Sequence, residues 1–330
     1  MNKDLRSPAR LVIDSVLNSN EAPSTNGFSV ERFIDDLVSF SPQDLAELFV
    51  ETSLEKVRAS QVSEKSRAAL LAKLSLTLVS YLEIEEPETL REVLRAIVSK
   101  MNAYITEIGI GSIAETDSAK EIYYRAFDQL DEILGLDYSL DQNMASSKDQ
   151  PERLYEGAGI GVQTSYASIL MALDRVQLPQ AAKVVDLGSG YGRVGFAIGL
   201  LRPDLEITGY EYVPHRVDNA NDVAKAAGLT NVHFITQDLA AADFKIPKAD
   251  VFYMYDPFSR ETYGYVLDQL IAMGRTTPIT VITKGRANDW VTDALKGHGW
   301  QTEASLDSGT VFVFNSPTFA VREEASNVSV

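Results

Sequence analysis

The sequence predicts an α/β domain with an open, largely parallel sheet, preceded by an all-helical domain. The first observation is an apolar run that carries a carboxylate and enters a glycine-rich turn, Val184-Val-Asp-Leu-Gly-Ser-Gly-Tyr-Gly-Arg193. This order is typical of a buried strand that turns tightly into a helix. The second is a further apolar run with a carboxylate near its end, Ile207-Thr-Gly-Tyr-Glu-Tyr212. The third is that helical patterns dominate residues 1–145.

The glycine-rich turn is typical of a cradle for a nucleoside cofactor. Glycines at alternate positions let bare backbone amides approach a ligand. Glu211, about twenty residues downstream, has the spacing at which an acidic side chain accepts the hydroxyls of a ribose. We expect the cofactor to contact a set of residues in and around these two runs: Asp186, Gly188, Ser189, Gly190, Gly192, Glu211 and Tyr212.

The spacing of the glycines bears on which nucleoside the turn binds. Gly190-Tyr-Gly192-Arg-Val-Gly195 also satisfies the dinucleotide pattern G-x-G-x-x-G, in which the strand ends directly before the first glycine. Here Asp186-Leu-Gly188 already closes the strand. The order D-x-G-x-G-x-G resembles the first motif of class I S-adenosyl-L-methionine (AdoMet) methyltransferases. A dinucleotide, or a turn without a ligand, stays open as an alternative.

The class I resemblance implies a fold and a set of roles. The fold is a seven-stranded Rossmann-like sheet with a C-terminal antiparallel hairpin. In that family the loop backbone faces the amino-acid part of AdoMet, and the carboxylate at the position of Asp186 helps to hold the loop and the ammonium of the cofactor. Zero cysteines exclude a disulfide framework, a thiolate metal site and a cysteine nucleophile, and we expect no metal.

Further strands and an intervening helix follow in the order that this family requires. A helix is predicted over Pro214–Ala227, stopped by Gly228, and a third strand from Asn231 ends at Asp238-Leu239. In the family this carboxylate accepts the adenine amine, and the next amide serves a ring nitrogen. The alternative is a turn or helix-cap aspartate. The remaining predicted strands are Ala249–Phe258, Ile279–Lys284 and a hairpin over His298–Asn315.

A glycine-rich segment before the first strand narrows the resemblance. Tyr155-Glu-Gly-Ala-Gly-Ile-Gly161-Val-Gln-Thr-Ser-Tyr166 leads into a predicted amphipathic helix with Thr164 or Ser165 at its cap. It is similar to the Y-G-E-T-S-F lead-in of the disruptor-of-telomeric-silencing type of histone-lysine methyltransferases and of related prokaryotic protein-lysine methyltransferases. The likeness runs from Tyr155 to Lys284. It implies that Thr164 and Ser165 lie over the methionine carboxylate of AdoMet.

The chain departs from those lysine enzymes after the fourth strand. Where they carry N-N-F, this sequence has Tyr255-Asp256-Pro257-Phe258, which resembles the D/N-P-P-Y/F motif of amino-group methyltransferases with one proline missing. The resemblance implies that Asp256, Tyr255 and Phe258 are the catalytic residues. Tyr255 and Asp256 would orient a nitrogen or accept its proton, and the Phe258 ring would stack on a planar group. The alternatives are that Asp256-Pro257 is only a turn and that the aromatic residues belong to the core.

These patterns favour an AdoMet-dependent methyltransferase that acts on a side-chain nitrogen of a protein. Two alternatives stay open, a small-molecule N- or O-methyltransferase and a non-catalytic AdoMet-binding module. The net charge of −17 and the lack of a Lys/Arg cluster disfavour a nucleic-acid acceptor. The sequence has no apolar run long enough for a membrane span and no signal-peptide pattern, so we expect a cytoplasmic protein with no membrane partner.

The predicted domains are a helical domain over 1–145, a methyltransferase domain over 146–320 and a tail over 321–330. The best linker is Asp141–Pro151, which is polar and rich in Ser and Asp. The helical domain is suited to substrate recognition, to homodimer formation or to capping the catalytic domain, and its sequence does not choose. Its helices are predicted from Ser41 through Leu54, and over Glu64–Leu82, Glu88–Ile108 and Ser118–Leu134.

Overall fold

The computed structural model describes residues 40–61, 86–108, 125–143, 163–176, 178–255, 259–285, 288–306 and 309–319. These residues divide into two compact units, with the division between Gly135 and Leu136. The short segment Ala226–Gly228 groups with the first unit. The division thus precedes the boundary expected after residue 145, and the full extents of the domains stay a prediction.

Two long helices form most of the described part of the N-terminal unit. Helix α1 spans Pro42–Gln61 and helix α2 spans Pro87–Ile108. Ser41 caps α1: its Oγ accepts the Asp44 amide at 3.2 Å, and the Asp44 carboxylate accepts the Ser41 amide at 3.0 Å. This reciprocal pair fixes the start of α1 at the predicted position. The helices bury apolar side chains from both: Leu45, Leu48, Phe49, Leu54, Val93, Leu94, Ile97, Val98 and Met101.

The other predicted N-terminal helices have mixed outcomes. The helix expected over Glu88–Ile108 is confirmed as α2, and the one over Glu64–Leu82 lies outside the described residues. The prediction of a continuous helix over Ser118–Leu134 is wrong in its described part. There, residues 125–129 form turns closed by hydrogen bonds three residues apart, and helix α3 covers only Leu130–Leu134. Apolar spacing does not separate such turns from α-helical ones, which is why the sequence misleads here.

The second unit contains a seven-stranded sheet among the described residues, in the order β3-β2-β1-β4-β5-β7-β6. The strands are β1 Lys183–Leu187, β2 Glu206–Glu211, β3 Val232–Thr236, β4 Val251–Tyr255, β5 Thr280–Lys284, β6 Gln301–Leu306 and β7 Val311–Asn315. Its helices are α4 Tyr166–Asp174, α5 Arg193–Leu201, α6 Pro214–Ala226, α7 Arg260–Gly274 and α8 Asn288–Gly297, after a 3₁₀ helix over Ser139–Asn143.

The pairing of the strands confirms the predicted fold. Strands β1 to β5 pair in parallel, whereas β7 pairs antiparallel with both β5 and β6. The predicted C-terminal hairpin is therefore present. The strand order reverses between β1 and β4, and open α/β sheets bind ligands at the carboxyl ends of the strands at such a switch point. The glycine-rich loop follows β1 at that point.

The central strands are buried on both faces, because helices cover each side of the sheet. After the first residue, β1 is buried throughout, and β4 and β5 are buried up to their last residue. These strands therefore have continuous apolar runs rather than alternating patterns. One core cluster joins the sheet to α7 and α8 through buried side chains from all three: Phe252, Met254, Val281, Val266, Leu270 and Leu295. None of the described helices is long and apolar enough to cross a membrane.

Gly192 ends the glycine-rich loop and caps α5. Its φ of +89° lies in the left-handed region, and a Cβ atom placed there would lie 2.4 Å from Cζ of Phe234 on β3. The Phe234 ring also packs against Phe196, with ring centroids 5.4 Å apart. The loop therefore approaches the sheet at a distance that only glycine permits.

We expect Gly192→Ala to lower the free energy of unfolding by about 2–4 kcal/mol, because it adds backbone strain and a clash in a packed core. The matched control is Gly264→Ala in α7, where a Cβ atom would meet nothing within 4 Å. That change should be neutral or stabilising by up to about 1 kcal/mol. Denaturant unfolding of the two variants makes the comparison. Equal stability of Gly192→Ala and the wild type would contradict the close packing of the loop.

Candidate active site

The loop between β1 and α5 is held on the adjacent strand β2. The amides of Gly188 and Ser189 both donate to the carbonyl oxygen of Tyr210, at 2.8 and 2.9 Å. The amide of Gly190, whose φ is +56°, donates to Oε2 of Glu211 at 2.8 Å. The glycine-rich turn therefore forms where it was predicted, but these three amides are bonded within the protein and are not bare as expected. The side chain of Glu211 holds the loop directly.

Glu211 ends β2 and is 3% exposed. Besides Gly190, it accepts the amide of Val213 at 3.0 Å through Oε1, and Nη1 of Arg216 lies 3.5 Å from the same oxygen. Burial raises the pKa of Glu211, while Arg216 and the two amides oppose that shift. A carboxylate offers about four lone-pair positions. The three contacts seen here thus leave about one position on Glu211 for a ribose hydroxyl. The ribose role of Glu211 stays a prediction.

Asp186 lies at the carboxyl end of β1 and is 2% exposed. Its Oδ2 has no hydrogen-bond partner among the residues that the structure describes. Burial, and then the nearby charge of Glu211, raise the pKa of Asp186 to about 8. A buried carboxyl group without a partner is costly, and a cationic ligand beside it would restore its ionised form. This chemistry fits the ammonium group of AdoMet, which the class I resemblance assigns to Asp186.

The end of the glycine-rich lead-in lies beside the loop. The guanidinium of Arg193, itself 1% exposed, donates to the carbonyl oxygen of Thr164 at 3.0 Å and lies over the Tyr166 ring. Ser165 caps α4, since its Oγ accepts the amide of Ser168 at 3.2 Å. A Cβ atom on Gly190 would lie 3.0 Å from Oε1 of Gln163. Thr164 is therefore tied to the start of α5, next to the loop, and the contact of Thr164 and Ser165 with a cofactor stays a prediction.

Asp238 follows β3 and caps its own turn. Its Oδ1 accepts the amide of Ala240 at 2.8 Å, as the turn alternative requires. The neighbouring Leu239 is buried, and Tyr212 after β2 is half-buried. The remaining oxygen of Asp238 leaves the adenine contact open, so the cofactor roles of Asp238, Leu239 and Tyr212 stay predictions.

The acceptor side of the site is described only in part. Asp256 and Phe258, with Pro257, lie outside the described residues. Tyr255 ends β4 directly beside Lys284 at the end of β5, and the Lys284 ammonium lies 5.7 Å from the centroid of the Tyr255 ring. Nζ of Lys284 also donates to Oγ of Ser168 on α4 at 2.7 Å. The ends of β4 and β5 are thereby joined to the lead-in helix.

Comparisons with known proteins match the central part of this chain. Residues 179–289 match the family model of the methyltransferase domain. The ribosomal RNA small subunit methyltransferase G of Desulforamulus reducens is 35% identical over 103 residues, which are 31% of this chain and 38% of the relative. The protein of the same name from Pseudarthrobacter chlorophenolicus is 41% identical over 56 residues, 17% of this chain and 26% of the relative.

Residues 179–289 are a methyltransferase domain. This range contains the loop, Glu211 and Asp238, whereas the lead-in and the terminal hairpin lie outside it. At the level of this domain, the predictions of a methyltransferase and of AdoMet as its cofactor are confirmed. The chain spans less than two fifths of the length of each of these curated relatives.

Solved structures with a similar fold are more distant. An RNA methyltransferase from Salinibacter ruber, in complex with S-adenosyl-L-homocysteine, is 23% identical with a TM-score of 0.35, and the match covers 47% of this chain and 92% of that one. TrmN from Thermus thermophilus is 19% identical with a TM-score of 0.39, and the match covers 47% and 50%. The fold assignment of the methyltransferase domain therefore depends on its own strand order.

Some functional residues near the methyltransferase domain were missed from the sequence. The linker prediction is wrong for residues 141–143, because Asp141 is fully buried and its carboxylate pairs with Arg216 and contacts His215. The rest of that linker, residues 144–151, lies outside the described residues. A polar stretch gives no sign that one of its aspartates is buried, since the partners of Asp141 come from α6. The motifs that contain Arg193 and Gln163 likewise do not predict that Arg193 contacts Thr164 or that Gln163 lies beside Gly190.

The raised pKa of Asp186 predicts a pH-dependent stability. The ordinary pKa of an aspartate is 3.8, and that of Asp186 is raised to about 8. At pH values between these two, the native state therefore holds a proton on Asp186 that the unfolded chain has lost. The free energy of unfolding therefore falls as the pH rises through this window, by up to about 1.4 kcal/mol per pH unit. Asp186→Asn cannot ionise and should lack this contribution.

Denaturant unfolding of wild type and Asp186→Asn at several pH values measures the effect. The wild type should lose stability relative to the variant between about pH 5 and about pH 8, and the difference should level off above that range. A difference that does not change with pH would show that Asp186 is ionised in the native state throughout.

Proposed function

We propose that this chain is an AdoMet-dependent methyltransferase that acts on a nitrogen, most favourably a side-chain nitrogen of a protein. The observation that carries the proposal is the pair of buried carboxyl groups, Asp186 and Glu211, on the two strands beside a glycine-rich loop in a methyltransferase domain. The two carboxyl groups suit an ammonium and a ribose at the two ends of one molecule.

Each part of the proposed site has a binding task. AdoMet, when bound, supplies a methyl group on a sulfonium. Glu211 would accept the ribose hydroxyls, and Asp186 would take the ammonium. Thr164 and Ser165, held beside the loop through Arg193, would cover the methionine carboxylate. Asp238 with Leu239 would bind the adenine edge.

The acceptor side must deliver an uncharged nitrogen in line with the methyl group. Tyr255, which ends β4, and Asp256, the next residue in the sequence, would orient that nitrogen and accept its proton. The Lys284 ammonium near the Tyr255 ring adds positive charge, which favours the neutral form of an incoming amine. The aromatic faces of Tyr255 and Phe258 would stabilise the positive charge as it passes from sulfur to nitrogen.

Two features favour a protein acceptor. The net charge of −17 attracts cationic substrates such as lysine-rich segments. The lead-in and the motifs from Tyr155 to Lys284 resemble the disruptor-of-telomeric-silencing type and related prokaryotic protein-lysine methyltransferases. On the basis of this resemblance, we propose that the chain is a protein-lysine methyltransferase of this type. A cytoplasmic location and a homodimer through the helical domain belong to the same proposal.

A second candidate acceptor is ribosomal RNA. The relatives from Desulforamulus reducens and Pseudarthrobacter chlorophenolicus are both named ribosomal RNA small subunit methyltransferase G. Against this candidate, the sequence has 47 acidic and 30 basic residues and no basic cluster to neutralise a run of phosphates. Small-molecule acceptors and a binding-only module complete the alternatives.

A transfer assay with methyl-labelled AdoMet should distinguish these acceptors. Purified protein is incubated with a lysate that has been fractionated into protein, ribosomal RNA and small molecules, and label should enter the protein fraction. Asp256→Ala should retain its affinity for S-adenosylhomocysteine, yet transfer methyl groups about 100-fold more slowly, because it loses a positioned proton acceptor.

The matched control is Asp238→Ala, which should weaken cofactor binding first. Label in ribosomal RNA alone would replace the proposed acceptor with the second candidate. Label in no fraction, with cofactor binding intact, would favour a binding module. Unchanged turnover in Asp256→Ala would return Asp256-Pro257 to the role of a turn.

A further inference from the structure

Asp141 is a buried carboxylate that the proposed chemistry does not use. It lies in the 3₁₀ helix Ser139–Asn143, just ahead of the lead-in, and its side chain is fully buried. Its partners come from the first turn of α6. Oδ2 lies 3.0 Å from Nη2 of Arg216, Oδ1 accepts Nε of Arg216 at 3.2 Å, and Nε2 of His215 lies 2.7 Å from Oδ1. Asp141 therefore contacts one edge of the Arg216 guanidinium at two points, of which the contact with Nε is a hydrogen bond and the contact with Nη2 is an ion pair without hydrogen-bond geometry.

The same guanidinium reaches Glu211 with its third nitrogen. Nη1 of Arg216 lies 3.5 Å from Oε1 of Glu211, which is longer than either of its contacts with Asp141. The guanidinium also lies over the ring of the loop residue Tyr191, 5.8 Å from the centroid, and that ring packs against Tyr138. A carboxylate, a guanidinium and a second carboxylate thus form one buried row beside the glycine-rich loop.

We propose that Asp141 and Arg216 are positioning residues for Glu211, with Asp141 holding the guanidinium at a distance that leaves the Glu211 oxygens available to the cofactor ribose. This inference rests on the proposed function, because it assigns Glu211 to the ribose. It extends the cofactor site to a segment that precedes both the lead-in and the matched domain.

The charges explain why a second carboxylate is needed. Glu211 alone beside Arg216 would form a close, bidentate ion pair, since the planar guanidinium matches a carboxylate. Such a pair would occupy the oxygens that must accept ribose hydroxyls. Asp141 does not help to ionise Glu211, because its negative charge raises the pKa of Glu211. Its two contacts instead fix where the guanidinium lies.

The test uses the ribose preference of the full-length protein. Calorimetry gives the affinities for S-adenosylhomocysteine and for its 2′,3′-dideoxy analogue. The wild type should prefer the ribose form by about ten- to a hundredfold, the value of hydrogen bonds to a charged acceptor. Asp141→Asn should reduce that preference by at least about fivefold. Loss of fold alone would weaken both ligands equally, so the ratio of the two affinities is the decisive quantity.

Three further variants complete the design. Asp204→Asn is the matched control. Asp204 pairs with Arg202 at 2.8 Å and is not part of this row, so its loss should leave the ratio of affinities unchanged. Arg216→Lys keeps the positive charge but loses the bidentate geometry, so it should reduce the ratio of affinities as Asp141→Asn does. It replaces Asp141→Asn in the test if that variant does not fold. In a Glu211→Gln background, Asp141→Asn should have no further effect on the ratio.

The outcomes separate the two proposals. A wild type that does not bind S-adenosylhomocysteine would overturn the proposed function and the positioning role with it. A wild type that binds it with a clear ribose preference, which Asp141→Asn and Arg216→Lys both retain in full, would overturn the positioning role alone. A reduced ratio in both variants, with the Asp204→Asn control unchanged, supports it.

Discussion

The burial of Glu211 is the constraint on which the rest of the site depends. A buried carboxylate must be matched by donors, and here the donors come from three different elements: the loop after β1, the turn after β2 and helix α6. Satisfying one side chain therefore fixes the relative positions of all three. The amide of Gly190 can reach Glu211 only because the loop approaches β2 closely, as its bonds to Tyr210 also show.

Asp186 on the neighbouring strand differs from Glu211, because one of its carboxyl oxygens lacks a hydrogen-bond partner among the described residues. The site thus combines one carboxylate held in place with one that a ligand would complete.

The fold was predictable because its signals are local. Continuous apolar runs mark strands buried on both faces, and the positive-φ glycines after β1 mark the turn into α5. The hairpin signal near Gly309 correctly gave the antiparallel end of the sheet. Helix α1 begins at the proline that follows Ser41, because the four consecutive residues 41–44 form its capping box. In each case the residues that determine the structure are neighbours in the chain.

The contacts that were missed join residues far apart in the chain. Asp141 meets Arg216 across 75 positions, and Lys284 meets Ser168 across 116. Nothing near Asp141 shows that it is buried, so a polar stretch was read as a linker. The turns over residues 125–129 were missed for a different reason, since apolar spacing alone does not fix the hydrogen-bond period. Sequence patterns therefore gave the strands and the loop of the methyltransferase domain, whereas the side chains that support Glu211 required the structure.

Asp186 and Glu211 are proposed to bind the ammonium and the ribose of AdoMet. Proton release on cofactor binding is the most direct test of this assignment. With a pKa raised to about 8, Asp186 is protonated near pH 7 until a cation lies beside it. Binding of S-adenosylhomocysteine, whose ammonium would ionise Asp186, should then release close to one proton, about 0.5–1 per site at pH 7. Calorimetry in two buffers of different ionisation enthalpy gives this number. Asp186→Asn should bind S-adenosylhomocysteine more weakly and should release no proton on binding. If Asp186→Asn bound as tightly as the wild type, or released as many protons, the assignment of Asp186 to the ammonium would be contradicted.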